Sequence, residues 1–377
     1  MRHLRSTTRS VFTVVGAGAV VVTLLASPGS AANTTPAVPS HRPAATAPVP
    51  RTPAPSPSGT AGSGAAPAPA PITLAFAGDV HFADHLGPLL RSDDSLAAVR
   101  PYLAGADVAV VNLETAITDR GTPQPKEFHF RTTPAALRVL GATGVDVVTM
   151  ANNHAVDYGL VGLGDTLAAR RAAPIGVVGI GANAADAYAP AVVTVKGRRV
   201  AVIGASQLGD WTLQHFTAGA RTPGIASAVP IGPLVAAVRA ARRQADVVVV
   251  YLHWGTERMT CPQASQRDAA RALAAAGADV VIGSHPHVTQ GAGYLGTTFV
   301  DYSMGNFVWY SRGSEASIST GVLTLTVTGR QVTASRWTPL RIGADGVPRP
   351  PSSAVGARMT RDWQAARACT GLSARPS

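Results

Sequence analysis

Four stretches of the chain share one pattern: a small residue or valine, an aspartate, then an unbroken run of mostly β-branched apolar residues. They are ADVAVVNLE (106–114), VDVVTMANNH (145–154), ADVVVVYLHWG (245–255) and ADVVIGSHPH (278–287). ITLAFAGDVHF (72–82) is a fifth apolar run. Alanine-rich, helix-compatible stretches precede the repeats, among them TPAALRVLGATG, IGPLVAAVRAARRQ and SQRDAARALAAAG. Continuous apolar strands alternating with helices indicate a mainly parallel sheet covered on both faces. Two later segments, AVVTVKGRRVAVIGAS (191–206) and GVLTLTVTGRQVTASRW (321–337), read as hairpins that add antiparallel strands at the edges.

The polar residues that end these runs keep a common offset. Asp107 to Glu114, Asp146 to Asn153 and Asp246 to His253 are each seven residues; Asp279 precedes His285 by six and His287 by eight. In parallel strands such an offset places the side chains at the carboxyl edge, where open α/β sheets hold their ligands. The fifth run ends the same way, with Asp79 and His81. Singly, each has a bland reading: His253 as a core histidine beside Trp254, His81 as a loop residue, Asn153 as the cap of the helix that follows. Together they point to one shared site.

Composition bounds the rest. The 377 residues are 46% hydrophobic and 14% charged, enough for a sizeable core. The formal charge of +11 lies mostly in the tails: residues 1–71 carry five Arg and no acid, residues 346–377 five Arg and one Asp, whereas 72–345 hold 22 basic and 20 acidic residues. No basic cluster with interleaved aromatics appears in the middle, so no nucleic-acid partner is expected. Arg2, Arg5 and Arg9 precede the apolar run 11–26 and a small-residue site at Ser30-Ala31-Ala32, which reads as an export signal over 1–32, either cleaved or kept as an anchor. Residues 33–71 hold 11 Pro and no acid, a composition for an extended spacer reaching ~120 Å. In an exported chain Cys261 and Cys369 are expected to pair, tying the tail 346–377 back onto a folded domain over 72–345; two buried thiols are the alternative.

Imidazoles, carboxylates and one amide oxygen form a mixed nitrogen–oxygen donor set suited to Mn, Fe, Zn or Mg. The donors exceed what one ion needs, and two divalent metal ions bridged by a carboxylate would use them all. His154, directly after Asn153, suits a general acid that protonates a leaving oxygen. Asp157 either orients His154 or serves the start of the following helix.

The blocks GDVHF (78–82), VNLETAIT (111–118), MANNHAVDYG (150–159), YLHWGTE (251–257), GADVVIGSHPHV (277–288) and DYSMGNF (301–307) resemble, in order, the bacterial poly-γ-glutamate capsule biosynthesis (CapA-like) family, a branch of the calcineurin-like metallophosphoesterase superfamily. The resemblance implies an α/β fold of layered β-sheets, an αββα sandwich with metal ligands at strand carboxyl ends. It implies that Asp79, His81 and His287 hold a first metal, Asn153, His253 and His285 a second, and Glu114 the bridge, with His154 as proton donor. It further suggests Arg131 and Asn306 as substrate contacts and supports the Cys261–Cys369 disulfide. The activity implied is a two-metal hydrolase acting on a phosphoester or polymer intermediate at the cell surface, with membrane-bound capsule-synthesis partners. Two alternatives stand beside it: a non-catalytic protein that binds or exports an anionic polymer, and a metal-dependent γ-glutamyl amide hydrolase or transferase.

Overall fold

The computed structural model describes residues 70–310 and 313–377. The expected export segment 1–32 and nearly all of the spacer 33–71 lie outside the described residues. The chain first lays down four parallel strands, β1 (Ile72–Val80), β2 (Val108–Leu113), β3 (Val147–Thr149) and β4 (Gly176–Val178), with helices α1 (Ala135–Ala142) and α2 (Gly159–Arg171) between them. It then crosses to a second sheet: the hairpin β5 (Ala191–Val195) and β6 (Arg198–Ser206), helix α3 (Gly232–Arg242), β7 (Val247–His253), helix α4 (Ala264–Ala276), β8 (Val280–Ser284), β9 (Ala292–Leu295) and β10 (Thr298–Asp301). It returns to the first sheet through β11 (Asn306–Val308), the long hairpin β12 (Ser319–Thr328) and β13 (Gln331–Ile342), and β14 (Pro348–Arg349), before the terminal helix α5 (Ser353–Ala365).

The apolar runs are therefore divided between two sheets, not gathered in one. The eight-stranded sheet has the order β14-β13-β12-β1-β2-β3-β4, with β11 pairing the end of β1; the six-stranded sheet has the order β9-β10-β8-β7-β6-β5. Alternation along each strand sorts side chains to opposite faces. Leu74, Phe76, Val108 and Val110 of the first sheet meet Val202, Val249, Tyr251 and Ile282 of the second in a central core. The intervening residues Ala75, Ala109, Val111 and Val148 face Leu137, Leu140 and Leu163 of α1 and α2. On the other side Ile203, Val248, Val250 and Val281 face Leu234, Val238 and Leu273 of α3 and α4. Each fully buried Val or Leu contributes roughly 1.5–3 kcal/mol, which is why the strand runs are predominantly apolar. These are the α, β, β and α layers that the resemblance implied. The sheets touch closely enough for the Tyr251 hydroxyl to donate to the Ala77 carbonyl at 2.8 Å.

Sequence reading misplaced parts of the hairpins. Only β5 is an edge strand; β6 runs parallel to β7, and β12 lies between β1 and β13. Strand propensity and a turn signal identify a hairpin but not which of its strands finds a second neighbour.

The repeated aspartates have a structural task at the opposite rim from the ligand positions. The Oδ2 atoms of Asp107, Asp146, Asp246 and Asp279 accept backbone N–H groups of the adjacent strand, from Thr73, Ala109, Arg199 and Val248, at 2.7–2.8 Å. Their own N–H groups donate to the carbonyls of Thr73, Ala109, Arg199 and Val248. Each aspartate thus clips the start of its strand to its neighbour and sets the register. The tail packs onto the domain: Trp363 of α5 stacks on Trp337 of β13 with ring centroids 5.6 Å apart, Ser373 exchanges backbone hydrogen bonds with Tyr294, and Cys369 is disulfide-bonded to Cys261. Among the described residues no helix is long and apolar enough to cross a membrane.

Candidate metal centre

The parallel strands of both sheets end at one rim, and there the polar residues meet. Asp79 lies near the end of β1, Glu114 just past β2, Asn153 and His154 in the turn after β3, His253 at the last position of β7, and His285 and His287 just past β8. Two sets of side chains have ligand atoms all within 4.8 Å of one another: Glu114, His253 and His285, and Asp79, Glu114 and His287. Glu114 belongs to both. His253 Nε2 is 3.4 Å from Glu114 Oε1 and 2.7 Å from Asn153 Oδ1, so the amide joins the first set. Asn153 does not cap a helix; α2 begins six residues later, with Tyr158 as its cap.

Local backbone geometry makes this convergence possible. Asp79 N–H donates to the Gly305 carbonyl at 2.9 Å, and a Cβ at Gly78 would lie 1.8 Å from that oxygen, so only glycine allows β1 to approach. His285 and His287 both have left-handed backbones, with φ of 96° and 56°. That conformation is costly for a residue with a Cβ and is found where surrounding structure enforces it, typically at functional sites.

A network beneath the candidate ligands holds them in place; sequence reading missed Asn112 and Asn152 and singled out Asn306 as a substrate contact. Buried Asn112 donates through Nδ2 to Asp79 Oδ1 at 2.8 Å and lies 3.2 Å from His253 Nδ1. Asn152 donates to Asn112 Oδ1 at 3.0 Å and accepts the His154 N–H at 3.1 Å. The signal for Asn112 was present in VNLE: it sits two residues before Glu114 and so shares its face of the strand. Asn306 Oδ1 accepts from His287 Nδ1 at 2.8 Å, and its Nδ2 donates to the His287 carbonyl, so this residue orients a ligand.

His154 Nδ1 donates to Asp157 Oδ2 at 2.7 Å and leaves Nε2 4.0 Å from Glu114 Oε1. Asp157 also accepts the Phe130 N–H at 2.6 Å and is ion-paired with Lys126, whose ammonium reaches the Asn153 carbonyl. Asp157 therefore orients His154, and Lys126 neutralises it; Lys126 was not singled out from sequence because PQPKEF carries no spacing signal.

His81 is in neither set. Its ring stacks on Phe130 at 4.4 Å, with Trp309 and Tyr310 edge-on at 4.3 Å, and Nδ1 accepts the Ala83 N–H. Arg131 lies over the Tyr158 ring at 4.8 Å and reaches the Asp119 carbonyl; neither contact is with the metal sets. Trp254 is packed in the core, its Nε1 donating to the Tyr302 carbonyl at 2.8 Å.

The electrostatics ask for added positive charge. Burial, and then the charge of Asp79, push the Glu114 carboxyl well above its ordinary range. Burial also acts to raise Asp79, but hydrogen bonding and charge from His287, 3.2 Å away, outweigh it and hold Asp79 at about 2. His287 is opposed by burial yet raised to about 9 by Glu114 and Asp79. Burial lowers His253 to about 4 and His285 well below its usual value, keeping both neutral as ligands must be. Both oxygens of Glu114, Nδ1 of His285 and Nε2 of His81 are buried without a hydrogen-bond partner. Unpartnered buried carboxylate oxygens are expensive, and together with neutral imidazoles at ligand distance they fit divalent metal ions.

Known proteins similar to this chain are capsule synthesis proteins. The family of the bacterial capsule synthesis protein PGA_cap matches residues 73–311. The PGA biosynthesis protein CapA of Bacillus subtilis is 32% identical over 63% of this chain, a match that spans 63% of that protein's own length. The capsule biosynthesis protein CapA of Bacillus anthracis is 30% identical over 75% of this chain and 70% of its own. Among solved structures, a hypothetical protein from Thermus thermophilus aligns with a TM-score of 0.44 at 17% identity, over 72% of this chain and 99% of that one, a likeness too distant to carry argument. The family match runs over most of the folded region, and this chain belongs to the bacterial capsule synthesis protein PGA_cap family.

Proposed function

We propose that this protein is an exported metal-dependent hydrolase of capsule polymer biosynthesis, acting on a phosphoester or an anionic polymer intermediate at the cell surface. The observation that carries the proposal is Glu114, buried, without a hydrogen bond at either oxygen and shared by two candidate ligand sets. Asp79, Glu114 and His287 would hold one divalent metal, and Glu114, Asn153, His253 and His285 a second; when bound, the pair supplies Lewis-acid activation of water and stabilises charge on the reacting group.

The chain's own residues support this chemistry in four ways. Asn112 fixes Asp79 and stands against His253, locking the relative position of the two sets. Asn306 orients the His287 ring. Phe130 stacks on His154 at 4.2 Å and, with His81 and Trp309, walls the rim with aromatic surface that excludes water. His154, held by Asp157 through Nδ1, presents Nε2 to the centre and can carry a proton to a leaving group there. That His154–Asp157 pair favours a catalyst over a passive polymer binder, since a proton donor has a use only where a bond breaks.

The test is metal content. The full chain, purified without chelator or affinity metal and loaded with Mn or Zn, is expected to hold about two metals per chain by elemental mass spectrometry. Glu114→Ala should lose both. A wild-type protein that takes up no metal, or a variant that keeps the full complement, would refute the proposal.

A further inference from the structure

Four residues past His253, the turn Glu257–Arg258 comes back to the metal centre from outside. Arg258 has a left-handed backbone, φ 64°, one of five non-glycine residues so placed among the described residues; His285 and His287 are two of the others. Its N–H donates at 2.8 Å to the carbonyl of Pro286, the residue between those histidines. The main chain of Arg258 is thus pinned, in a conformation unfavourable for a residue with a Cβ, to the loop that carries two candidate ligands.

The side chain has no matching commitment. Among the described residues the Arg258 guanidinium makes no hydrogen bond or ion pair. At the opposite rim Arg242 and Arg330 both pair with Asp279. Arg258 instead lines a depression of ≈ 380 Å³ with Glu257, His287, Asn306, Trp309 and Ser317. Glu257 acts electrostatically on His287 and does not pair with its neighbour. A strained, pinned backbone holds this solvent-exposed planar cation, without a side-chain partner among the described residues, beside a candidate ligand histidine.

We infer that Arg258 is an oxyanion clamp, a specificity-determining residue that grips a carboxylate or phosphate of the substrate in the depression beside His287 while the reacting bond lies at the metal centre. The guanidinium fork matches either group through two parallel hydrogen bonds, which an ammonium does not provide. The inference rests on the proposed hydrolase for what the clamp serves, but the anion contact belongs to Arg258 and the depression alone.

Calorimetric titration of the full chain with inorganic phosphate, and separately with glutarate, tests it, each with and without Mn and alongside metal content. Arg258→Ala is expected to weaken at least one anion about tenfold or more in both metal states, Arg258→Lys to fall between, and metal content to stay unchanged. The anion that loses more identifies the source as phosphate or carboxylate. Should Arg258→Ala disturb folding, Arg258→Gly removes the side chain at a backbone that glycine accepts without strain. Unchanged affinity in the variants, no binding of either anion by the wild type, or loss of metal from the variants would overturn the clamp. A wild type that holds no metal yet shows Arg258-dependent binding would keep the clamp and refute the hydrolase.

Discussion

Individual side chains at the rim have separable jobs, and this makes them testable one at a time. His154 touches the centre only through Nε2, and burial lowers it to about 4 despite the opposing effect of Asp157. His154→Ala should keep the metals and lose about 10²–10⁴ in any hydrolysis, measured on a phosphodiester and a γ-glutamyl substrate; full activity would remove the proton-donor role. Asp301 offers a pH test away from the ligands. Burial raises it from 3.8 to about 7, against the weaker lowering effects of the Ser303 N–H and the Trp363 side chain. Because the folded value is above the unfolded one, its contribution to stability is full below about pH 4 and is lost as pH rises through about 7. Urea unfolding should therefore show wild type losing on the order of 3–5 kcal/mol relative to Asp301→Asn between about pH 4 and 8. A constant difference between the two proteins across that range would contradict it.

Among the elements, the strands are specified twice, by their apolar runs and by the aspartates that start them. The clip at Asp146 joins β3 to β2 through the buried Ala109 N–H. Asp146→Ala leaves that donor without a partner, which costs about 1–3 kcal/mol, read as a lower denaturant midpoint with unchanged slope. Asp146→Asn retains an acceptor and should recover most of the loss. The Asp-then-apolar pattern was visible in sequence as a ruler for locating ligands; that the aspartate itself sets register was not, because its partner is an amide some 30 to 50 residues away. Likewise β7 and β8 read as members of one sheet with β1 to β3, since a buried strand has the same composition in either sheet of a two-sheet core.

At the level of the whole molecule the tail closes the structure. The Cys261–Cys369 bridge joins the loop after β7 to the end of the chain, a sequence separation of 108. Replacing both cysteines with serine should lower stability by about 2–5 kcal/mol, seen as a reduced thermal midpoint that wild type also shows once its disulfide is reduced. Since Cys261 lies three residues beyond Arg258, the same variant tests whether the bridge also steadies the anion depression: phosphate affinity would then fall together with stability.

Strand periodicity and strand-end chemistry are local and leave a one-dimensional record, so the strands and the carboxyl-end position of the ligand-capable residues were legible along the chain. Tertiary structure alone decided how they are arranged. Packing two sheets face to face brought β1, β2 and β3 against β7 and β8, so that Glu114 faces both His253 and His287. It stacked His81 among aromatics outside both sets, and it brought Lys126 and Arg258 to a centre to which nothing in their own segments points. The physical reason is that a ligand set is a property of distances between elements, and those distances follow from how apolar faces pack, which no single segment contains.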